Sequence, residues 1–370
     1  MTLPTDSDRV DGLVHALHPR YYTDAELYER ERNSLMATTW QFAGHVSALR
    51  NPGDYFSFEI AGESLFCVLN KDHEVRTFYN VCQHRAHQLV SGAGSARLIV
   101  CPYHSWTYEL DGSLRSGLNL QSVRGFDPGS ICLAKVKTEV FCGFIFVNLD
   151  PDADPMDKWF PGVREALGEF VPHIDALKPI HWIEVEERCN WKVAIENYSE
   201  CYHCRINHPT FASGVVKPET YDIQPQGYCL RHTTECQNLD RMTYDIDLDS
   251  NPHAGDYSSW FLWPMFSFQV YPGNVLNTYH WRPLAVDRVR VFRGWYTVGG
   301  EPSDIIDGLA KQDRETTVKE DIVLVESVQR GLNSRGYQGG LLVIDPAGGV
   351  HSEHSIMALH QWMRESIDGS

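Results

Sequence analysis

The 370-residue sequence lacks the features of membrane, secreted and nucleic-acid-binding chains. No apolar run reaches the roughly 18 residues that a membrane span requires, and residues 1–8 lack the basic-then-apolar pattern of a signal peptide. Ten cysteines are too few for a disulfide-stabilised scaffold, and a net charge of −17 without a basic stripe argues against nucleic acid. We therefore expect a globular protein of the reducing cytoplasm, with mostly buried thiols and neither a membrane nor a nucleic-acid partner.

The composition, 42% hydrophobic and 22% charged residues without internal repeats, allows two domains. A stretch rich in proline and aspartate at 150–155 is typical of a domain boundary. We predict an amphipathic helix at 24–37 and a long one at 312–332. Short strands are expected at 55–60, 64–69, 97–100 and 142–148. The predicted organisation is an N-terminal helical segment (1–37), a small β-rich domain (38–150) and a larger mixed domain (151–370).

Two matching half-sites dominate the first half of the chain. Cys82 and His84 form one, and Cys101 and His104 form the other. In a Rieske [2Fe–2S] centre two cysteines hold one iron and two histidines hold the other. A tetrahedral zinc site with the same ligand types is the alternative. Zinc-finger spacing groups cysteine with cysteine and histidine with histidine, whereas here each half-site supplies one of each, which favours the cluster.

A second constellation follows in the larger domain. Asn190 is suited to cap a helix that we expect to run to about Cys204. Glu200 and His203 would then be neighbours on one helical face. His208 precedes a proline, so the helix must end or bend there for both imidazoles to converge. Two histidines need one carboxylate to complete the facial triad of a non-haem Fe(II) oxygenase.

Asp321 is the best candidate for that carboxylate. In the predicted helix at 312–332 it shares an apolar stripe with Val325, Val328 and Leu332, where an unpaired carboxylate is costly. Glu320 and Glu326 lie off that stripe and are expected to be solvated. The alternative is that Asp321 caps a helix or pairs with an arginine.

These motifs, in this order, resemble the Rieske non-haem iron aromatic-ring-hydroxylating-type oxygenases (α subunits), over essentially the whole chain. The segments 196–204, 263–264, 320–336 and 352–354 resemble the quaternary-ammonium group within that family. One departure is Gln83, where relatives usually carry proline, and Ala86 follows Arg85 beside it. Because neighbouring residues tune a cluster's potential, the resemblance leaves that potential open.

The resemblance implies an α+β fold, in which a small all-β Rieske domain precedes a helix-grip catalytic domain with a central antiparallel sheet flanked by helices. It makes the four half-site residues the cluster ligands. The mononuclear iron ligands would be His203, His208 and Asp321. Glu200 would bridge a cluster histidine, His104, to His203 across a subunit boundary, which implies a homotrimer.

The reaction implied is that of an oxygenase component supplied with electrons from NADH by a flavin and [2Fe–2S] reductase. With O₂ it would hydroxylate a carbon next to a quaternary nitrogen, after which the C–N bond breaks. The first choice of reaction is the conversion of carnitine to trimethylamine and malic semialdehyde. N-demethylation of glycine betaine or proline betaine, and ring dihydroxylation of an aromatic acid, are the alternatives. The non-enzymatic alternative is a zinc-stabilised binding protein.

Aromatic faces attract trimethylammonium groups through cation–π contacts. We therefore select five aromatic residues near the proposed iron site as candidates for the substrate pocket, although a core strand would also explain the run at 260–268. These candidates are Tyr198, Tyr202, Trp260, Trp263 and Phe266. A substrate carboxylate would need a basic or phenolic partner, for which Arg205, Arg231 and His232 are unranked candidates.

Overall fold

The structure is a computed structural model that describes residues 9–10, 13–242 and 244–368. The chain divides into two compact units, one of residues 32–156 and one of residues 1–31 with 157–370. All strand pairs in the described residues are antiparallel, and helices accompany them, so the predicted α+β class is confirmed. Among the described residues, none forms a helix long and apolar enough to cross a membrane.

The N-terminal segment contains two short strands and two helices. Their bounds are β1 (Arg9–Val10), β2 (Leu13–Val14), α1 (Arg20–Thr23) and α2 (Ala25–Asn33). Asp24 caps α2, because its carboxylate accepts the N–H groups of Glu26 and Leu27 at 2.8 and 3.2 Å. The predicted helix at 24–37 is interrupted after Asn33, and a separate short helix, α3 (Leu35–Thr38), follows.

The unit of residues 32–156 is built around a seven-stranded antiparallel sheet in the order β3-β12-β11-β6-β5-β4-β7. A three-stranded sheet, in the order β10-β9-β8, completes the unit. The strand bounds are β3 (Gln41–His45), β4 (Asp54–Ile60), β5 (Glu63–Leu69), β6 (Val75–Tyr79), β7 (Ala93–Ser95), β8 (Ile99–Val100), β9 (Thr107–Tyr108), β10 (Leu114–Ser116), β11 (Lys135–Phe141) and β12 (Phe144–Asn148). The two half-sites lie in the loops between β6 and β7 and between β8 and β9.

The second unit is built on another seven-stranded antiparallel sheet, in the order β13-β19-β18-β17-β16-β15-β14. Its strands are β13 (Leu177–Glu187), β14 (Asp222–Gln226), β15 (Cys229–Glu235), β16 (Asp256–Leu262), β17 (Phe266–Tyr271), β18 (Val275–Ala285) and β19 (Arg288–Val298). The helices are α4 (Met156–Trp159), α5 (Val163–Phe170), α6 (Trp191–Tyr198), α7 (Cys204–Asn207), α8 (Pro209–Gly214), α9 (Asp304–Glu315), α10 (Thr317–Leu332) and α11 (His354–Asp368).

Strand register determines which side chains share a face of this second sheet. Across three neighbouring strands, Ser267 pairs with Tyr279 and Tyr279 with Arg293. Gln269 pairs with Asn277 on the same face, because side chains two residues apart in a strand point the same way. Together with residues of the neighbouring strands, these side chains form the face that we call the inner face.

Helix α6 lies at the centre of the second unit and is tied to the N-terminal segment by buried polar contacts. Asn190 caps it, accepting the N–H of Lys192 at 3.0 Å. The ammonium of Lys192 lies 2.6 Å from the carboxylate of Glu31, and both side chains are fully buried. The second oxygen of Glu31 accepts the indole N–H of Trp191 at 2.8 Å. Both groups of the ion pair are thus compensated, which a buried pair requires.

We predict that Lys192→Met lowers the free energy of unfolding by about 3–5 kcal/mol, because it leaves the Glu31 carboxylate buried without its cation. Lys217→Met is the matched control, since Lys217 pairs with Glu235 at the surface and such pairs contribute about 0–1 kcal/mol. Urea unfolding of the full chain, followed by fluorescence, measures both. Equal unfolding midpoints for the two variants would contradict this prediction.

Candidate metal centres and active site

The two half-site loops have the same backbone conformation. In each loop the cysteine N–H donates to the carbonyl five residues further on at 2.8 Å, and the cysteine carbonyl accepts the N–H four residues on at 3.0 Å. That fourth residue, Ala86 in one loop and Ser105 in the other, has a left-handed backbone with φ of 57° and 56°. Cys82 and Cys101 therefore occupy equivalent positions although their histidine spacings differ.

The four half-site side chains separate into a buried pair and an outer pair. Cys82 and Cys101 are each 2% exposed and belong to one apolar cluster. The rings of His84 and His104 lie nearer the surface, and their centroids are 4.7 Å apart. Trp106 stacks on His84 at 4.7 Å. This division, with two thiols inside and two imidazoles outside, fits the ligand arrangement of a Rieske cluster.

Gln83 contributes its backbone to the first loop. Its N–H donates to the hydroxyl oxygen of Tyr108 at 3.0 Å, and the same hydroxyl lies 3.2 Å from the sulfur of Cys82. The side chain of Gln83 is exposed. A proline at this position would lack that N–H donor, so the departure from the family pattern adds a hydrogen bond beside a proposed ligand.

We had predicted one continuous helix from Asn190 to about Cys204, but the structure breaks this segment. Helix α6 ends at Tyr198 instead of continuing to Cys204. The carboxylate of Glu200 accepts the backbone N–H groups of Tyr202 and of His203, the latter at 3.3 Å. A side-chain acceptor of this kind competes with helical hydrogen bonds and starts a new turn. The chain also breaks between α7 and α8 at His208, where a proline follows.

Despite the broken helix, the structure brings His203, His208 and Asp321 together. The Nε2 atoms of the two histidines lie 3.1 Å apart, and Oδ1 of Asp321 lies 2.9 Å from Nε2 of His208 and 3.9 Å from Nε2 of His203. One possible ligand atom from each of the three residues lies within 4.8 Å of the other two. Oδ1 of Asp321 is buried and has no hydrogen-bond partner. Two imidazole nitrogens and one carboxylate oxygen form the donor set of a non-haem Fe(II) site.

Each histidine is oriented by a glutamate at its other ring nitrogen. Nδ1 of His203 contacts Oε1 of Glu200, and Nδ1 of His208 lies 2.7 Å from Oε2 of Glu320. A proton held at Nδ1 leaves the lone pair of Nε2 free for a metal. The expectation that Glu320 is solvated is therefore wrong: it contacts His208.

Asp321 lies on the inward side of its helix, although the predicted stripe is only partly correct. The expected helix at 312–332 is broken at Thr316 into α9 and α10. Val328, a predicted member of the stripe, is 49% exposed, whereas Val325 and Gln329 are buried. The inward side of α10 follows a spacing of four residues, through Asp321, Val325 and Gln329.

A cavity lies beside this triad, and His203, His208 and Asp321 are part of its wall. Its wall comes from the end of α6, from α8 and from the inner face of the sheet. Its aromatic side chains include Tyr198, Phe211, Tyr257, Tyr271, Tyr279 and Trp281. The charged side chains of Arg293 and Glu187 also line it. Burial raises the pKa of Glu187 to about 7, so this carboxyl is largely protonated below that pH.

Of the five aromatic residues selected from the sequence, only Tyr198 lines the cavity. Trp260 and Phe266 point to the opposite face of the sheet, because they alternate with Phe261 and Ser267 of the inner face. Trp263 follows β16 and packs against the rings of Trp191 and Trp362. Tyr202 is 45% exposed and lies outside the cavity wall.

The candidates for a carboxylate partner also separate by face. His232 lines the cavity, and Tyr221 contacts its Nδ1 at 3.0 Å. The guanidinium of Arg231 lies over the ring of Trp260 on the opposite face, and Arg205 is exposed. Sequence reasoning missed Arg293, Tyr279 and Trp281. The available signal was an arginine within an apolar strand pattern and two aromatic residues spaced two apart.

Two cysteines on the cavity wall differ from the expectation of free thiols. Cys201 and Cys204 form a disulfide across His203. The remaining eight cysteines are free, and most of them are buried.

Two domain families match this chain. Residues 39–127 match the Rieske [2Fe-2S] domain, and residues 174–369 match the ring hydroxylating alpha subunit (catalytic domain). The carnitine monooxygenase oxygenase subunit of Escherichia coli (strain K12) is 34% identical over 350 residues, which cover 94% of this chain and 92% of that protein. The chloroplastic choline monooxygenase of Beta vulgaris is 29% identical over 392 residues, with 99% and 83% covered.

A solved structure of the quaternary ammonium Rieske monooxygenase CntA, described in terms of carnitine oxidation by gut microbiota and inter-subunit electron transfer, has the same fold. It matches with a TM-score of 0.84 and 31% identity over 96% of each chain.

We predict that Glu320→Ala lowers Fe(II) affinity about 10- to 100-fold, because Nδ1 of His208 loses the carboxylate that orients the ring. Glu326→Ala is the control, because Glu326 lies on the same helix but accepts the backbone N–H of Arg188. Iron retained after competition with a chelator measures the affinity, with cluster absorbance as an internal reference. Unchanged retention in Glu320→Ala would show that this contact does not support the metal.

Proposed function

The chain belongs to the Rieske non-haem iron oxygenases with a ring-hydroxylating α-subunit catalytic domain, and from that membership we propose that it is the oxygenase component of a two-component monooxygenase of small quaternary ammonium compounds. Carnitine is the first choice of substrate. The observation that carries this proposal is the aromatic cavity beside the convergent nitrogens of His203 and His208 and the oxygen of Asp321.

The family's cofactors are a Rieske [2Fe–2S] cluster and a mononuclear non-haem iron. We assign the cluster to the four half-site residues, Cys82, His84, Cys101 and His104. We assign the mononuclear iron to His203, His208 and Asp321. When bound, these groups supply stored electrons and O₂ activation; the protein supplies position, proton placement and exclusion of water.

The cavity wall is suited to a quaternary ammonium group. Tyr198 lies 4.9 Å from the ring of Trp281, and Phe211 lies 5.4 Å from Tyr257. Each well-placed aromatic face stabilises a bound cation by about 0.5–2 kcal/mol. Because the ammonium cannot donate a hydrogen bond, a wall of ring faces accommodates it without leaving a buried polar group unpaired.

The products follow from the chemistry of the substrate carbon. A hydroxyl group introduced on the carbon attached to the positively charged nitrogen makes that carbon lose the amine readily. For carnitine the expected products are trimethylamine and malic semialdehyde. For glycine betaine or proline betaine, hydroxylation of an N-methyl carbon would release formaldehyde.

We predict that the enzyme, supplied with a reductase, NADH and O₂, releases trimethylamine from carnitine in a 1:1 ratio to substrate consumed. Chromatography of trimethylamine and a separate assay for formaldehyde distinguish C–N cleavage of carnitine from N-demethylation. A cis-diol from an aromatic acid would instead support ring dihydroxylation. Turnover of no quaternary ammonium compound would refute the proposed substrate class.

Electron supply requires a partner protein. We propose an NADH-dependent reductase with a flavin and a [2Fe–2S] centre, and a homotrimer in the cytoplasm. Glu200 would connect His203 to a cluster histidine, His104, of a neighbouring subunit. Its contact with Nδ1 of His203 supports one half of that connection.

We predict that Glu200→Gln slows reoxidation of the reduced cluster by at least about tenfold while the cluster is still reduced normally, since the variant weakens the charged contact to His203. Stopped-flow absorbance of the cluster measures both phases. Glu219→Gln, an exposed carboxylate outside the cavity, is the control. Reoxidation at the unmodified rate would remove Glu200 from the electron path.

A further inference from the structure

Several buried polar groups on the inner face of the catalytic sheet lack a hydrogen-bond partner, and three of them lie at the cavity wall. These three are Nε of Arg293, Oε1 of Gln269 and Nε2 of His232. All three side chains line the cavity and are at most 4% exposed. Buried polar atoms in native proteins are almost always hydrogen-bonded, so these three atoms are available to pair with a polar ligand in the cavity.

Arg293 presents one edge to the protein and another to the cavity. Its Nη1 donates to both carboxylate oxygens of Asp313, at 2.8 and 2.9 Å. Its guanidinium lies 4.4 Å over the ring of Tyr279. These two contacts hold the group in place and leave the Nε–H without an acceptor. A guanidinium can bind a second acceptor along that edge, which a single ammonium cannot do.

Gln269 offers the complementary group. Its Nε2 donates to the hydroxyl oxygen of Tyr257 at 2.5 Å, so Oε1 is the atom left to accept. Gln269 and Arg293 lie on β17 and β19, two strands that are about 10 Å apart on either side of β18. Gln269 is level with Trp295, so Arg293 is offset from it by two residues along the strand. Both side chains are long enough to approach the same small ligand. One site thus combines a charged donor with a neutral acceptor.

We propose that Arg293 reads the carboxylate of the substrate and that Gln269 reads a hydroxyl close to that carboxylate. This inference rests on the proposed function and narrows its substrate class to betaines that carry a carboxylate. The quaternary end would then lie away from Arg293, because two cations repel in a buried site. Asp313 acts as a positioning residue for Arg293.

Arg293 and Gln269 would distinguish carnitine, for which one group of relatives is named, from choline, for which the other is named. A carboxylate satisfies the Nε–H of Arg293, whereas choline, which has an alcohol but no carboxylate, leaves that donor unpaired. A 3-hydroxy betaine such as carnitine satisfies both Arg293 and Gln269. γ-Butyrobetaine, which lacks the hydroxyl, satisfies only Arg293.

The test compares carnitine, γ-butyrobetaine and choline as substrates of Arg293→Lys, with calorimetric binding constants of the iron-loaded enzyme beside the kinetics. The lysine keeps the ion pair with Asp313 but loses the second donor edge. We expect kcat/KM for carnitine and γ-butyrobetaine to fall about 10- to 100-fold, mainly through KM, and that for choline to change less than about threefold.

Two further variants keep this test decisive. The double variant Arg293→Met with Asp313→Leu removes the ion pair as a unit and should lose the same selectivity. Arg290→Lys lies on the same strand but on the opposite face, where Arg290 pairs with Glu184, and should change nothing. An equal loss for all three substrates would assign Arg293 a structural role and overturn the inference.

The hydroxyl contact has its own readout. Gln269→Leu should lower kcat/KM for carnitine about fivefold relative to γ-butyrobetaine, because only carnitine loses a hydrogen bond. An unchanged ratio would remove Gln269 from the inference. If the unmodified enzyme prefers choline, the carboxylate inference fails while the proposed function survives. If it turns over no quaternary ammonium compound, both fail.

Discussion

The proposed iron site depends on one repeated interaction, a carboxylate held against Nδ1 of each of its two histidines. Glu200 supplies it for His203 and Glu320 for His208. Both histidines lie where helices end, so their backbone alone would orient the rings poorly. The carboxylates fix the ring orientation and the position of the proton, and the Nε2 atoms converge on Oδ1 of Asp321 as a result. The two orienting glutamates come from different elements, which ties α10 to the segment after α6.

That arrangement needs a rigid platform, and the N-terminal segment contributes to it. Glu31 forms the buried ion pair with Lys192 in the first turn of α6. In the last turns of the same helix, Oε1 of Glu196 accepts the hydroxyl of Tyr22 at 2.6 Å and lies 3.1 Å from Nε2 of His360. Helix α6 is therefore held at both ends by residues far away in sequence. Such support keeps the residues that follow the helix within the narrow tolerances that a metal site requires.

The sequence predicted the parts of the site whose chemistry is local. The half-site residues, the two histidines and Asp321 stand out because metal ligands need particular side chains at short spacings. The contact of Glu320 was missed because it depends on how α10 packs against the segment that carries His208, which helical periodicity does not encode. Trp260 and Phe266 were chosen from local aromatic density, but the face on which they lie depends on pairing between strands. The α+β class required only strand and helix periodicity, which is why it was predictable.

Register also governs how substrate choice is encoded. Relatives named for carnitine and for choline are 34% and 29% identical to this chain, so overall similarity separates the two substrates weakly. Under the proposed function, the residues assigned to the iron serve a reaction at the carbon next to the nitrogen and do not distinguish the far end of the substrate. Discrimination is then assigned to side chains on the inner face, where Arg293 and Gln269 are placed by their pairing with β18. Since alternate residues of a strand face opposite sides, a substitution at one such position alters the cavity without disturbing the packing on the other face. Selectivity among these substrates can then change through very few positions, while the fold and the metal centre stay the same.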